Sequence, residues 1–210
     1  IDYYFMKGKT MDAVVANYRL LTGNSPMMPL YLFGYIQSKE RYVSSDDLIN
    51  TLKEYRQRQI PIDMIVQDWN YWPEGQWGNM SMNPKFYPDK RKLADEIHSL
   101  HAKLMISIWP NAMNCPQHEE FRRKGWLLSG TSVYDAFNPL ARKLYWNYAN
   151  NEFFGNGFDA WWCDASEPLD ADWTFMKDGY GADNHRQRWE LNTNLLNSVL
   201  GCLLYTSPSP

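Results

Sequence analysis

Residues 159–168 read Asp159-Ala160-Trp161-Trp162-Cys163-Asp164-Ala165-Ser166-Glu167-Pro168, a short apolar run that stops at an acidic residue beside tryptophan. A carboxylate at a strand end, set against a flat ring, can attack an electrophilic carbon held on that ring, so Asp164 is a candidate nucleophile. The C–H-rich faces of sugars stack on such rings, which makes an anomeric carbon a fitting electrophile. By residue type alone, an aspartate there is more often a turn former or a helix cap. Glu167 lies three residues further on. Retaining glycoside cleavage needs a second carboxyl about 5–5.5 Å away, approaching from the opposite face of the ring. Neighbours on one short loop seldom straddle a ring, so Glu167 is given a supporting, charge-orienting role. Two more apolar runs end in comparable fashion: Ile62 to Gln67 stops at Asp68-Trp69, and Lys103 to Trp109 stops at Pro110.

These side chains need elements to carry them. Met28 to Ile36 (MPLYLFGYI), Ile62 to Gln67, Lys103 to Trp109 and Phe158 to Cys163 each read as a buried strand. Between them, Ser45-Asp46-Asp47 starts a helix with Leu48, Ile49, Leu52 and Tyr55 at helical spacing. Leu93, Ile97 and Leu100 share one face of a second helix. A short helix is expected around Glu119 to Lys124. Asn138-Pro139 opens a third long helix that Gly155 and Gly157 end, and Arg186 to Leu200 supplies another.

Strand and helix therefore alternate four times, as in βα units wound on a parallel sheet. A doubly wound sheet and a (β/α)8 barrel both fit, but no strand is followed by the Gly-rich phosphate turn of a dinucleotide fold. Both folds place function at the carboxyl ends of strands, which directs attention to Asp68, Trp109 and Asp164. An α/β chain with four of eight strands reads as the N-terminal half of a TIM barrel, truncated. Residues 1–27 form a lead-in, residues 28–200 the first four βα units, and residues 201–210 (GCLLYTSPSP) a non-native tail. Half a barrel leaves two open strand edges, so the segment is expected to be cut from a longer chain and to lack activity by itself.

Composition narrows the partners. With 44% hydrophobic and 16% aromatic residues the chain can bury a core, which excludes a disordered class. Lys+Arg 21 against Asp+Glu 24 gives a net charge of −3, with none of the basic excess that nucleic acid or anionic lipid requires. Cys115, Cys163 and Cys202 form no CxxC pair, and the compartment is left open. No apolar run reaches the roughly 20 residues of a membrane helix. His98, His101 and Glu96 could suggest a metal, but exposed helix faces carry such residues routinely; no metal or cofactor is expected. His118 and His185 lack identifiable partners, and Lys90-Arg91-Lys92 reads as a solvated face. Trp126 and Trp146 read as core, whereas Trp72 and Trp77 could contact further sugar units or pin their loop.

The stretch WWCDASEP (161–168) resembles the WxDxxEP signature of glycoside hydrolase family 31, the retaining α-glucosidases and α-xylosidases. Its form DAWWxDASEP looks most like the bacterial α-xylosidases. Further matches follow in family order: IDYYFMKG (1–8), LTGNSPMMPLYLFGY (21–35), QSKERY (37–42), IPIDMIVQDWNYW (60–72), QWG (76–78), ISIWP (106–110) and YDAFNPLAR (134–142). The resemblance implies a (β/α)8 catalytic domain with Asp164 as the nucleophile. It implies that Asp68 hydrogen-bonds hydroxyls of the terminal sugar and that Trp69, Trp109, Trp162 and Tyr42 line the same subsite. The family's acid/base aspartate lies on a later strand, beyond this chain. Where the family usually carries a longer segment with a Trp-x-Gly element, only LLSGTSVY (127–134) intervenes here. The implied substrate is an oligosaccharide with a non-reducing α-xylosyl unit, as in xyloglucan. An α-glucosidase and an inert carbohydrate-binding pseudo-enzyme are the alternatives. A bacterial xyloglucan role would favour a periplasmic or secreted location.

Overall fold

The computed structural model describes residues 4–128 and 131–165. Four strands form one sheet in the order β1-β2-β3-β4: β1 (Ile36–Gln37), β2 (Met64–Gln67), β3 (Lys103–Ile108) and β4 (Ala160–Cys163). Every neighbouring pair is parallel. Sequential order without a reversal is the winding of a barrel wall; a doubly wound sheet would double back at a switch point.

The helices arise where caps and periodicity placed them. In α2 (Ser45–Gln57) the Ser44 side chain accepts the Asp47 amide, and Leu48, Ile49 and Leu52 are buried. In α3 (Lys90–Ser99) Asp89 caps the Lys92 amide and Leu93, Ala94 and Ile97 are buried. After α4 (Pro116–Lys124), Asn138 caps α5 (Pro139–Glu152), which opens on its proline. The core cluster joins these helix faces to Ile65, Leu104, Ile106 and Ile108, with Trp161 and Cys163 packed against it. Register places those strand residues on one face. Each fully buried aliphatic side chain contributes roughly 1.5–3 kcal/mol, and it is this burial that fixes helices to that face. The other face, the inside of the barrel wall, carries Met64, Val66, Met105, Ser107, Ala160 and Trp162 by alternation.

Three features depart from the sequence-based expectation. Met28 to Ile36 is not a buried strand. Leu30–Phe33 forms a 3₁₀ turn after Pro29, Met28, Leu30, Phe33 and Tyr35 are exposed, and only Ile36–Gln37 pairs with β2. Proline cannot donate to a ladder, and the turn closes through Leu32 N to Pro29 O at 3.0 Å. A side chain at Gly34 would overlap the Asp63 carboxylate, which accepts the Tyr35 amide at 3.2 Å. Secondly, α1 (Met11–Thr22) lies in the stretch taken as a lead-in, with Thr10 capping Ala13 and no residue buried. Thirdly, α5 stops at Glu152 and Gly155 lies inside the short 3₁₀ turn Phe154–Asn156. The expected helix at 186–200 and the tail at 201–210 lie outside the described residues. Among the described residues no helix is long and apolar enough to cross a membrane.

The amino ends of the strands are locked by polar groups. Asp159 accepts Lys103 Nζ at 2.9 Å and the Leu104 amide at 2.9 Å, and pairs with His98 Nε2 at 2.7 Å. His98, considered for a metal, is thus hydrogen-bonded to Asp159, and the described residues contain no group of His, Cys, Asp or Glu suited to a metal. Lys90 likewise departs from the solvated-face expectation: its Nζ pairs at 2.6 Å with the half-buried Glu152, which also accepts the Met82 amide. Arg91 and Lys92 do face solvent, paired with Asp95 and Glu96.

Candidate active site

The carboxyl ends of β2, β3 and β4 form one side of the barrel mouth. Gln67, fully buried, fixes the end of β2: its amide donates to Tyr42 O at 3.1 Å and Asp68 O at 3.0 Å, while its carbonyl oxygen accepts from Tyr87. Asp68 comes next. Its Oδ1 accepts the Trp69 amide at 2.8 Å, and the chain then turns sharply through Asn70, whose φ is 59°.

On β4 the arrangement repeats. The Asp164 amide reaches Ile108 O at 3.0 Å, its Oδ1 accepts the Ala165 amide at 2.8 Å, and the buried Ala165 turns through a φ of 53°. An alanine in the left-handed region carries strain, which the neighbouring bonds must offset.

Register brings these ends together. Gln67 pairs with Ile106, so Asp68 stands beside Ser107, and Ser107 pairs with Trp162. The next level holds Trp109 beside Asp164, since Ile108 pairs with Cys163. Burial pushes the Asp68 carboxyl above its ordinary 3.8, and the charges of Asp164 and Glu40 push the same way. The Trp69 amide and the Ser107 hydroxyl pull it back. The charge of Asp164 thus acts on Asp68 across β3.

Aromatic rings wall the mouth. Trp69, Trp72, Trp77 and Trp109 form one cluster with centroid separations of 5.6 Å for Trp69–Trp77 and 5.2 Å for Trp77–Trp109. Arg41 lies over Trp69 at 5.9 Å. Trp162 is 39% exposed, a large open ring on the barrel's inner face. Trp109 is buried. Tyr42 is fully buried as well, its carbonyl held by Gln67 and Tyr87, so its ring belongs to the packing under the mouth. Trp146 is buried in the core and Trp126 packs against it. Trp72 is buried, whereas Trp77 is partly so. Glu167 lies outside the described residues.

Sequence reasoning passed over the residues that hold the strand ends in place. Tyr71 donates to Ser107 O at 2.9 Å and Tyr145 to Trp109 O at 3.0 Å, both buried. Ser107 itself sits inside the ISIWP stretch, where strict alternation along β3 puts it on the face of Trp109. A separate cleft of about 320 Å³, open mouth included, lies between the loop after β3 and helices α4 and α5; it shares Trp109 with the mouth but touches neither aspartate.

The sequence model of the glycosyl hydrolases family 31 TIM-barrel domain matches residues 25–201. An alpha-xylosidase of Saccharolobus solfataricus is 41% identical over 169 residues, covering 80% of this chain and 23% of that protein. An alpha-glucosidase of the same organism is 25% identical over 187 residues, covering 81% of this chain and 26% of that one. The crystal structure of the GH31 alpha-xylosidase from Xanthomonas citri superposes with a TM-score of 0.71 at 38% identity, over 76% of this chain and 19% of that one. The chain thus spans about a fifth to a quarter of the length of these three proteins. A barrel wall wound in sequential order, with the family match running over most of its length, places the chain in glycosyl hydrolase family 31.

Proposed function

We propose that the protein containing this segment is a retaining α-glycosidase that removes non-reducing terminal α-xylosyl units from oligosaccharides. The observation that carries it is the placement of Asp68 and Asp164 at the carboxyl ends of β2 and β4, one strand apart, beside tryptophan rings. In this mechanism Asp68 accepts hydrogen bonds from hydroxyls of the terminal sugar and fixes its orientation. Asp164 attacks the anomeric carbon as the bond to the leaving oxygen breaks. The leaving oxygen takes a proton from a carboxyl outside the described residues, and that group then draws a proton from water, which releases the sugar with its configuration retained. Trp69 and Trp162 exclude water and stack on the sugar. The rigid amide contact at Asp164 Oδ1 leaves Oδ2 for the attack.

The preference for xylose is supported by the 41% identity to an alpha-xylosidase, against 25% to an alpha-glucosidase. Glucose differs by a hydroxymethyl at C5, so the two substrates part on whether the pocket leaves room for that group.

Turnover of p-nitrophenyl α-xyloside and α-glucoside by the complete protein tests this. The expected result is faster release from the xyloside, a fluorosugar label on Asp164, and loss of activity in Asp164→Ala. A label on another side chain overturns the assignment, a faster glucoside makes the protein an α-glucosidase, and sugar binding without turnover makes it an inert binding module.

A further inference from the structure

One polar side chain on the barrel's inner face has no part in the chemistry above. Ser107 is fully buried, and its neighbours on that face along the strands are Met105, Val66 and Met64, so an apolar residue would fit there without a polar atom to satisfy. Its backbone is held rigidly: Tyr71 donates to its carbonyl, and its Cα is paired with Trp162. Its hydroxyl makes no hydrogen bond of full geometry. Buried hydroxyls are normally paired, and an orphan beside a reactive group calls for an explanation. The charged neighbour across the β2–β3 step is Asp68, whose ionised form the Ser107 hydroxyl favours from short of full hydrogen-bond geometry.

We propose that Ser107 is a positioning residue for Asp68: when a sugar draws the carboxylate into place, the Ser107 hydroxyl donates to it and fixes the orientation in which it meets the sugar. The inference rests on Asp68 being the sugar-binding carboxylate. A carboxylate offers about four lone-pair sites, so the Trp69 amide and the Ser107 hydroxyl together leave two for sugar hydroxyls. Contacts of this kind are commonly loose in the unliganded protein and tighten in the complex. The charged surroundings give the hydroxyl work to do. Asp164 from β4 and Glu40 from the segment after β1 both disfavour the ionised form of Asp68, and Arg41 is engaged over the Trp69 ring. Among the described residues the Trp69 amide and Ser107 oppose them.

The test is a pH profile of kcat/KM for the complete protein with p-nitrophenyl α-xyloside, in wild type, Ser107→Ala and Ser107→Thr. In Ser107→Ala the acid limb is expected to move to higher pH and KM to rise about tenfold, with kcat changing less. Ser107→Thr, which keeps the hydroxyl, restores the limb. Loss of packing alone would lower activity without moving the limb. If Ser107→Ala does not fold, Ser107→Cys, close in size and a weaker donor, is expected to show the same displacement at smaller amplitude. An acid limb unmoved in the alanine or cysteine variant overturns the positioning role while leaving Asp68 and Asp164 as they stand. A wild-type protein without glycosidase turnover overturns the parent reading, and this inference with it.

Discussion

Asp68 and Asp164 are held by the same local device: in each, Oδ1 accepts the amide of the following residue at 2.8 Å. The chain then turns away through a residue with positive φ, Asn70 after the first and Ala165 after the second. The contact pins one oxygen of each carboxylate and leaves the other for a ligand. Preorganisation of this kind reduces the reorganisation a transition state would otherwise demand.

Asp68 carries a stability cost. Burial, with Asp164 adding to it, raises its carboxyl above 3.8, so the folded protein keeps the proton to higher pH than the unfolded chain does. Stability therefore falls as pH rises through that window and stays lower above it. Asp68→Asn keeps an oxygen for the Trp69 amide and removes the charge. In the complete protein the variant should melt higher than wild type at about pH 7, with the gap closing below about pH 4. Sugar binding should weaken about tenfold or more. Calorimetric melting across that range checks the first, titration with xylose the second; equal melting temperatures at neutral pH would refute the cost.

Gly78 sets how closely the aromatic loop approaches the end of β3. Its φ is 65°, and a side chain there would overlap the Asn111 carbonyl oxygen. Beside it, the Met113 amide donates to Trp77 O at 2.9 Å, and Trp77 packs edge-on against Trp109. Backbone cannot yield as a flexible side chain can, so Gly78→Ala should cost about 2 kcal/mol or more and displace the tryptophan cluster. Near-UV circular dichroism should change along with a lowered denaturation midpoint. An unchanged spectrum would mean that the loop adapts.

Asp159 serves the opposite end of the sheet. It answers Lys103, His98 and the Leu104 amide, and its own amide donates to Leu104 O at 2.8 Å. Asp159→Asn should lower stability by about 1–2 kcal/mol, since the partly exposed Lys103 loses its counter-charge and the Leu104 amide keeps only a neutral acceptor. KM should be unaltered, because the residue lies at the amino ends of the strands, away from the mouth. Urea unfolding and steady-state kinetics check the two halves; a changed KM would show that the ends of the wall are coupled.

Much of the wall was legible in the residues. Periodicity and caps identified α2, α3 and α5, and uniform apolar runs identified β2, β3 and β4, because those elements are stabilised by their own local patterns and by burial on one face. The run at 28–36 misled because hydrophobicity alone does not distinguish a strand from an exposed 3₁₀ turn when proline removes the donor. Helix α1 has its threonine cap and apolar spacing in plain view, but none of its residues is buried, so the usual link from pattern to core does not hold there.

The amino-acid sequence by itself determined which residues end the strands, and therefore that Asp68 and Asp164 stand at carboxyl ends beside tryptophans. Tertiary structure alone decided that Asp68, Ser107 and Trp162 share one row, and that Gln67, Tyr71 and Tyr145 hold the backbone beneath them. The physical reason is that parallel register is set by hydrogen bonds between segments tens of residues apart. A slip of one residue would turn every side chain of a strand to the other face, and nothing local to Ser107 records which neighbour it will meet.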